Sequence, residues 1–167
     1  MKSKQLAQIL GGLAAGAGAV ATYGLVVRPW HTRWGTTEDE VTEILPGDDV
    51  VTDPQHTATH AITINAPPAA VWPWLVQIGQ TRGGFYSYSW LENLAGCEMH
   101  NADRIVTEWQ TLRPGDVVWL HPKAPPLQVL MVEPLRTIVL GSDDPETENA
   151  GTWGFYLKPS GDQTTRL

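Results

Sequence analysis

The chain has 167 residues, of which 42% are hydrophobic and 17% charged, and its net charge is −7. With a mean hydropathy of −0.19, this excludes a disordered acidic chain and a multi-span membrane protein, and the lone Cys97 excludes a disulfide framework and a cysteine zinc site. The charge is uneven: residues 1–34 carry Lys2, Lys4, Arg28 and Arg33 and no acid, so +4, which leaves −11 for residues 35–167. An acidic domain is a poor nucleic-acid binder, because such affinity comes from Lys and Arg neutralising phosphates. No nucleic-acid partner is expected.

The first element spans residues 1–34. Between Lys4 and Arg28 lie 23 uncharged residues, Gln5 to Val27. As a helix they reach roughly 34 Å, enough for a bilayer core of ~30 Å. Trp30 and Trp34 follow where aromatic rings favour the interface, and Arg28 and Arg33 reach headgroups. Gly12 and Gly16 offer a small face for helix–helix association. These features predict a single-pass membrane anchor through residues 5–27, with a secreted product cleaved near Ala21 as the alternative. Gly16-Ala17-Gly18-Ala19-Val20-Ala21 fits a dinucleotide-binding pattern, but no strand long enough precedes it.

Residues 35–56 read as an acidic connector, with seven acids between Glu38 and Asp53 and turn signals at Pro46-Gly47 and Asp53-Pro54. The remaining 57–167 form the domain. Thr57 to Ile64 alternates and is β-branched, as a strand requires. Ala66-Pro67-Pro68 opens a helix whose apolar face is Val71, Trp72, Leu75 and Ile78 and which Gly79 ends. Pro73 inside it removes a hydrogen bond at a cost of ~3 kcal/mol unless packing offsets it. After a glycine loop at 80–84, Ser89-x-x-Glu92 predicts a capping box for a short helix, Trp90 to Ala95. From Arg104 onward the pattern is β. Strands are expected over Ile105–Leu112, Val117–His121, Leu127–Val132, Thr137–Leu140, Thr152–Lys158 and Thr164–Leu167, with turns at Arg113-Pro114-Gly115-Asp116 and Glu133-Pro134-Leu135-Arg136. Strands with a few helices on one face make an α+β fold.

Several of these residues also carry a family resemblance. Ala61-Ile62-Thr63-Ile64-Asn65-Ala66-Pro67-Pro68-Ala69-Ala70-Val71-Trp72 resembles the opening strand and helix of the START-like, SRPBCC superfamily of polyketide cyclases, dehydratases and lipid-transfer domains. Leu112-Arg113-Pro114-Gly115-Asp116 and the hairpin between Leu127 and Leu140 match its sheet. Trp72 to Gln80, followed by Gly83 to Asn93, is similar to an uncharacterised bacterial subfamily that often has an N-terminal hydrophobic segment. The resemblance spans about residues 28–167. It implies a helix-grip fold, in which a curved antiparallel sheet wraps a long C-terminal helix around a cavity for a hydrophobic small molecule or lipid. No segment here matches that last helix, so the chain reads as a truncated member.

No strong catalytic motif is present, and no catalytic residue, metal site or cofactor is assigned. His56-x-x-x-His60 has helical ligand spacing but sits at a predicted strand, where i and i+4 lie ~13 Å apart. Cavity candidates are Trp72, Arg82, Tyr86, Tyr88, Glu92, Asn93, His100, Arg104 and Trp109. Tyr and Arg at a cavity mouth hold the polar end of an apolar ligand, since such pockets carry few polar groups. The same residues also fit a structural network, with Ser89 and Glu92 capping a helix and Arg82 or Arg104 pairing with Glu92. A cyclase or dehydratase activity would place His100, Glu92 or Tyr86 inside the cavity as acid or base. A non-catalytic interaction protein is the third possibility.

Overall fold

The computed structural model describes residue 12, residues 16–142 and residues 150–167. Internal contacts divide the chain into two units, residues 1–43 with 56–61 and residues 44–55 with 62–167.

In the first unit, residues 16–32 form a helical run that widens into a π turn at Tyr23–Val27 and closes with α1, Arg28–Thr32. Pro29 has no N–H to give to the Leu25 carbonyl, and the turn before it opens, with Arg28 N–H bonding to the Tyr23 carbonyl. The run carries Gly16, Gly18 and Gly24 among its apolar residues, includes Thr22 and Tyr23, and meets Arg28. No helix among the described residues is long and apolar enough to cross a membrane. The expected transmembrane helix and single-pass localisation are therefore corrected. Residues 5–11 and 13–15 of the expected span lie outside the described residues.

Helix α2, Glu38–Thr42, starts on a capping box between Thr37 and Glu40 (3.3 and 2.8 Å), and its three first-turn acids suit a helix N-terminus. Residues 56–61 run alongside 32–34, with Thr59 N–H on the Thr32 carbonyl (2.9 Å) and Ala61 N–H on the Trp34 carbonyl (3.1 Å). His56 accepts from Arg28 (3.0 Å) and His60 donates to the His31 carbonyl (2.6 Å), so each histidine is engaged separately.

The second unit is α+β. Strand β1 is only Thr63–Ile64, because the earlier part of the expected strand spends its N–H groups on residues 32–34. Helix α3, Pro68–Val76, begins as the two prolines predict and buries Val71, Leu75 and Val76. Helix α4 is Ser89–Leu94 and a 3₁₀ turn covers Thr107–Trp109. Strands β2, Val117–Val118, β3, Leu127–Glu133, β4, Thr137–Gly141, and β5, Thr152–Tyr156, form one antiparallel sheet in the order β2-β3-β4-β5. Strands β6, Lys158–Gly161, and β7, Thr164–Arg166, join β1 in a second, ordered β1-β7-β6.

Strands β5 and β6 follow each other along one extended stretch, separated only by buried Leu157. Its first half pairs with β4 and its second half with β7. One strand thus turns a corner between two ladders, helped by the irregular register between Pro159 and Gly161.

All five residues of β4 are buried. Ile138 and Leu140 face the main core with Val71, Leu75, Val118, Val129 and Leu157. Val139 points the other way and is covered by the turn at Leu45–Asp48. Gly47 (φ +96°) lies so close that a Cβ there would sit 2.7 Å from Val139 Cγ1. Tyr156 Oη fastens this turn by donating to the Pro46 carbonyl (2.6 Å). Residues 45–48 of the expected connector therefore cover the second face of β4.

Candidate functional site

The site grows from the C-terminal end of α3. Its cap residue, Gln77, is completely buried, and its amide is used on both ends. Nε2 donates to Tyr86 Oη (2.6 Å) and to the Arg104 carbonyl (3.0 Å). Oε1 accepts from Val106 N–H (3.0 Å) and Gln110 Nε2 (3.2 Å). A buried amide needs such complete pairing. These bonds also explain why Ile105–Leu112 is not a strand. Its backbone groups are taken by side chains, including the Trp109 carbonyl, which accepts from Arg82.

Between Gln77 and Tyr86 the chain makes a tight loop closed by paired bonds between Gly79 and Gly84 (3.0 and 2.9 Å). Gly83 is required by close approach, since a Cβ there would meet Tyr86 Oη at 2.5 Å and the Gln77 carbonyl at 2.7 Å. Tyr86 itself has φ +56°, an unusual and strained conformation for an aromatic residue. Asn101 holds it there. Its Oδ1 accepts from the N–H groups of Phe85 (3.1 Å) and Tyr86 (2.9 Å), and its Nδ2 donates to the Ser87 carbonyl (3.0 Å). The Trp74 ring meets the Tyr86 ring edge-on at 5.4 Å. Burial pushes the Tyr86 phenol above its ordinary pKa, against the opposing pull of the Gln77 hydrogen bond and the Arg82 charge. Burial also lowers Arg82, with Asp116 and Tyr86 acting the other way.

Beside this assembly is a cavity of about 780 Å³. Ala70, Val71, Trp74, Leu75 and Ile78 form the wall from α3 and its end. Ile64, Ala66 and Leu167 close one side, and Phe85, Trp153 and Phe155 another. The last three rings touch in sequence, Phe85 edge-on to Trp153 (centroids 5.9 Å apart) and Trp153 tilted against Phe155 (4.6 Å). The polar members are Tyr86, Ser87 and Glu92. A cavity of this size with apolar walls and few polar groups has the character of a small-molecule site.

Of the nine expected cavity residues, Tyr86 and Glu92 line it. Trp72 packs on the core from the far side of α3. Arg82 and the Trp109 carbonyl bond to each other. The Arg104 carbonyl serves Gln77. Tyr88 is exposed at the start of α4. Asn93 holds the buried Met99 through both backbone groups (3.0 Å to its carbonyl) and so closes the loop after α4. His100 is exposed and bonds to the Glu98 carbonyl (3.1 Å). The capping box at Ser89 does not form. Tyr88 is the N-cap, with no side-chain bond, and Glu92 turns to the cavity.

Gln77, Asn101, Trp153 and Phe155 were not among the expected site residues. Trp153 and Phe155 are two apart on one strand and share a face, and Ala70, Trp74 and Ile78 recur at helical spacing, so both stripes carry a sequence signal. The roles of Gln77 and Asn101 rest on partners 9 to 33 residues away and carry none. No protein-family model, curated protein or solved structure matches the chain.

Proposed function

We propose that residues 62–167 are a START-like domain that binds an apolar small molecule or lipid in the cavity beside α3. The observation that supports this is the cavity's make-up: about 780 Å³, walled by apolar side chains from a helix, a strand and a loop. Tyr86, at its polar side, is kept in a strained conformation by Asn101, Gln77 and Trp74. Strain of this kind persists only where surrounding structure over-determines it. Here it sets Tyr86 in the cavity wall, with its hydroxyl held by Gln77.

Ala70 lines the cavity while remaining exposed, so Ala70→Trp fills the space without overpacking the core. Octanol, a neutral apolar probe, binds the wild-type chain in calorimetric titration. Binding falls by about tenfold or more in Ala70→Trp, the equivalent of ~1.4 kcal/mol, with unchanged circular dichroism. Equal binding by the two proteins overturns the proposal.

A further inference from the structure

Three residues of the cavity wall, Phe85, Tyr86 and Ser87, lie between the Gly79–Gly84 bridge and α4 and belong to no helix or strand. Apart from a local bond of Ser89 N–H to the Ser87 carbonyl (3.0 Å), the backbone of this segment is held, among the described residues, by one side chain. Asn101 Oδ1 accepts from the N–H groups of Phe85 and Tyr86, and Asn101 Nδ2 donates to the Ser87 carbonyl. Asn101 is itself fixed on both sides. Just before it, the buried Met99 is gripped by Asn93 through both backbone groups. Just after it, Ala102 N–H bonds to the Gly83 carbonyl (3.0 Å). Gly84 lets the amide come this close, since a Cβ there would collide with Asn101 Oδ1. The clamp holds a conformation that is unfavourable on its own, Tyr86 at φ +56°. A released Tyr86 returns to negative φ and takes its ring away from Trp74 and Gln77.

Resting on the cavity reading above, we propose that Asn101 is a positioning residue for ligand binding. It is not part of the cavity wall. It acts through residues 85–87, which it keeps in the shape that a ligand meets. Apparent affinity scales with the fraction of molecules already in the binding-competent conformation. Loss of the clamp lowers that fraction, so binding weakens although no contact to the ligand is removed.

The test titrates octanol into the full chain and its variants. Asn101→Ala lowers octanol affinity about tenfold or more. Asn101→Asp keeps an acceptor for both N–H groups and gives up only the donor, so its loss is smaller, about threefold. It stands in for Asn101→Ala throughout if that protein does not fold. Tyr156→Phe removes a hydrogen bond to the Pro46 carbonyl, away from residues 85–87, and leaves affinity unchanged. A double-mutant cycle separates positioning from a general loss of structure. Glycine adopts φ +56° without a clamp. In a Tyr86→Gly background, Asn101→Ala therefore changes octanol affinity by less than about twofold. If Tyr86→Gly binds too weakly to compare, Tyr86→Asn is the second background, because Asn also accepts positive φ. An Asn101→Ala protein that binds octanol as the wild type does overturns the proposal, as does an equal loss with and without Tyr86. If octanol binds the wild type and Ala70→Trp blocks it, either result sinks this proposal alone and the cavity reading stands. If octanol does not bind the wild type, both fail.

Discussion

Replacing Gln77 by Leu tests whether one buried amide organises the site. The side chain has no exposed surface and makes four hydrogen bonds, to Tyr86, Arg104, Val106 and Gln110. Leu fills nearly the same space and makes none of them. Gln110 Nε2 keeps the Pro73 carbonyl (3.1 Å), and Tyr86, 37% exposed, can turn to water. The Arg104 carbonyl and Val106 N–H lose their side-chain partner. Two bonds lost outright cost ~1 kcal/mol each, and the stranded half-buried N–H adds ~1–3 kcal/mol. Apolar burial of Leu returns ~1 kcal/mol. The expected loss is about 2–4 kcal/mol, read from the urea midpoint with an unchanged slope. A Gln77→Leu protein within ~0.5 kcal/mol of wild type, a surface-like effect, refutes this account of the site.

Two further outcomes follow from the second unit. Gly47→Ala places a Cβ 2.7 Å from Val139 Cγ1 at a backbone position with φ +96°. It should lower stability by about 1–3 kcal/mol in thermal or urea unfolding, and a neutral result would mean that the Leu45–Asp48 turn does not cover β4. At high pH, Tyr86 and Tyr156 act together. Both phenols are raised by burial, Tyr156 also by the Asp48 charge. The unfolded chain then loses these protons at lower pH than the native one. Their contribution is full below the unfolded value of ~10 and declines as pH rises through the higher folded values. Urea midpoints should fall above about pH 10, less steeply in Tyr156→Phe; a midpoint that rises there contradicts the assignment.

Much of the second unit was legible in the sequence because its causes are local. Pro67-Pro68 marks the start of α3, and Val71 and Leu75 fall on its buried face. Glu133-Pro134-Leu135-Arg136 turns between β3 and β4, and Arg113-Pro114-Gly115-Asp116 turns with Gly115 at φ +94°. The expected segments fail where long-range bonds win. Ile105–Leu112 has strand composition, but Gln77 and Arg82 take its backbone groups first. Ser89-x-x-Glu92 has the spacing of a capping box, yet the Glu92 side chain lies in the cavity wall. Residues 5–27 have the length of a membrane span, but no helix among the described residues is long and apolar enough to cross a membrane, and the described part opens into a π turn before Pro29.

By itself the sequence determined an acidic α+β domain, the position of its helix and central hairpin, and the region from 82 to 109 as the place to look for polar groups. Periodicity and turn residues act over a few positions, so these features survive without knowledge of the whole. Only tertiary structure decided which polar residues meet. It joined β5 and β6 into one strand serving two ladders, brought Trp153 against Phe85, spent Arg82 and Asn93 on the protein's own backbone, and used the Arg104 carbonyl as a partner for Gln77. It placed Glu92 in the cavity wall instead of in a cap for α4. Pairing of buried donors and acceptors is settled between distant segments, and residue type alone cannot tell which group is used up and which remains for a ligand.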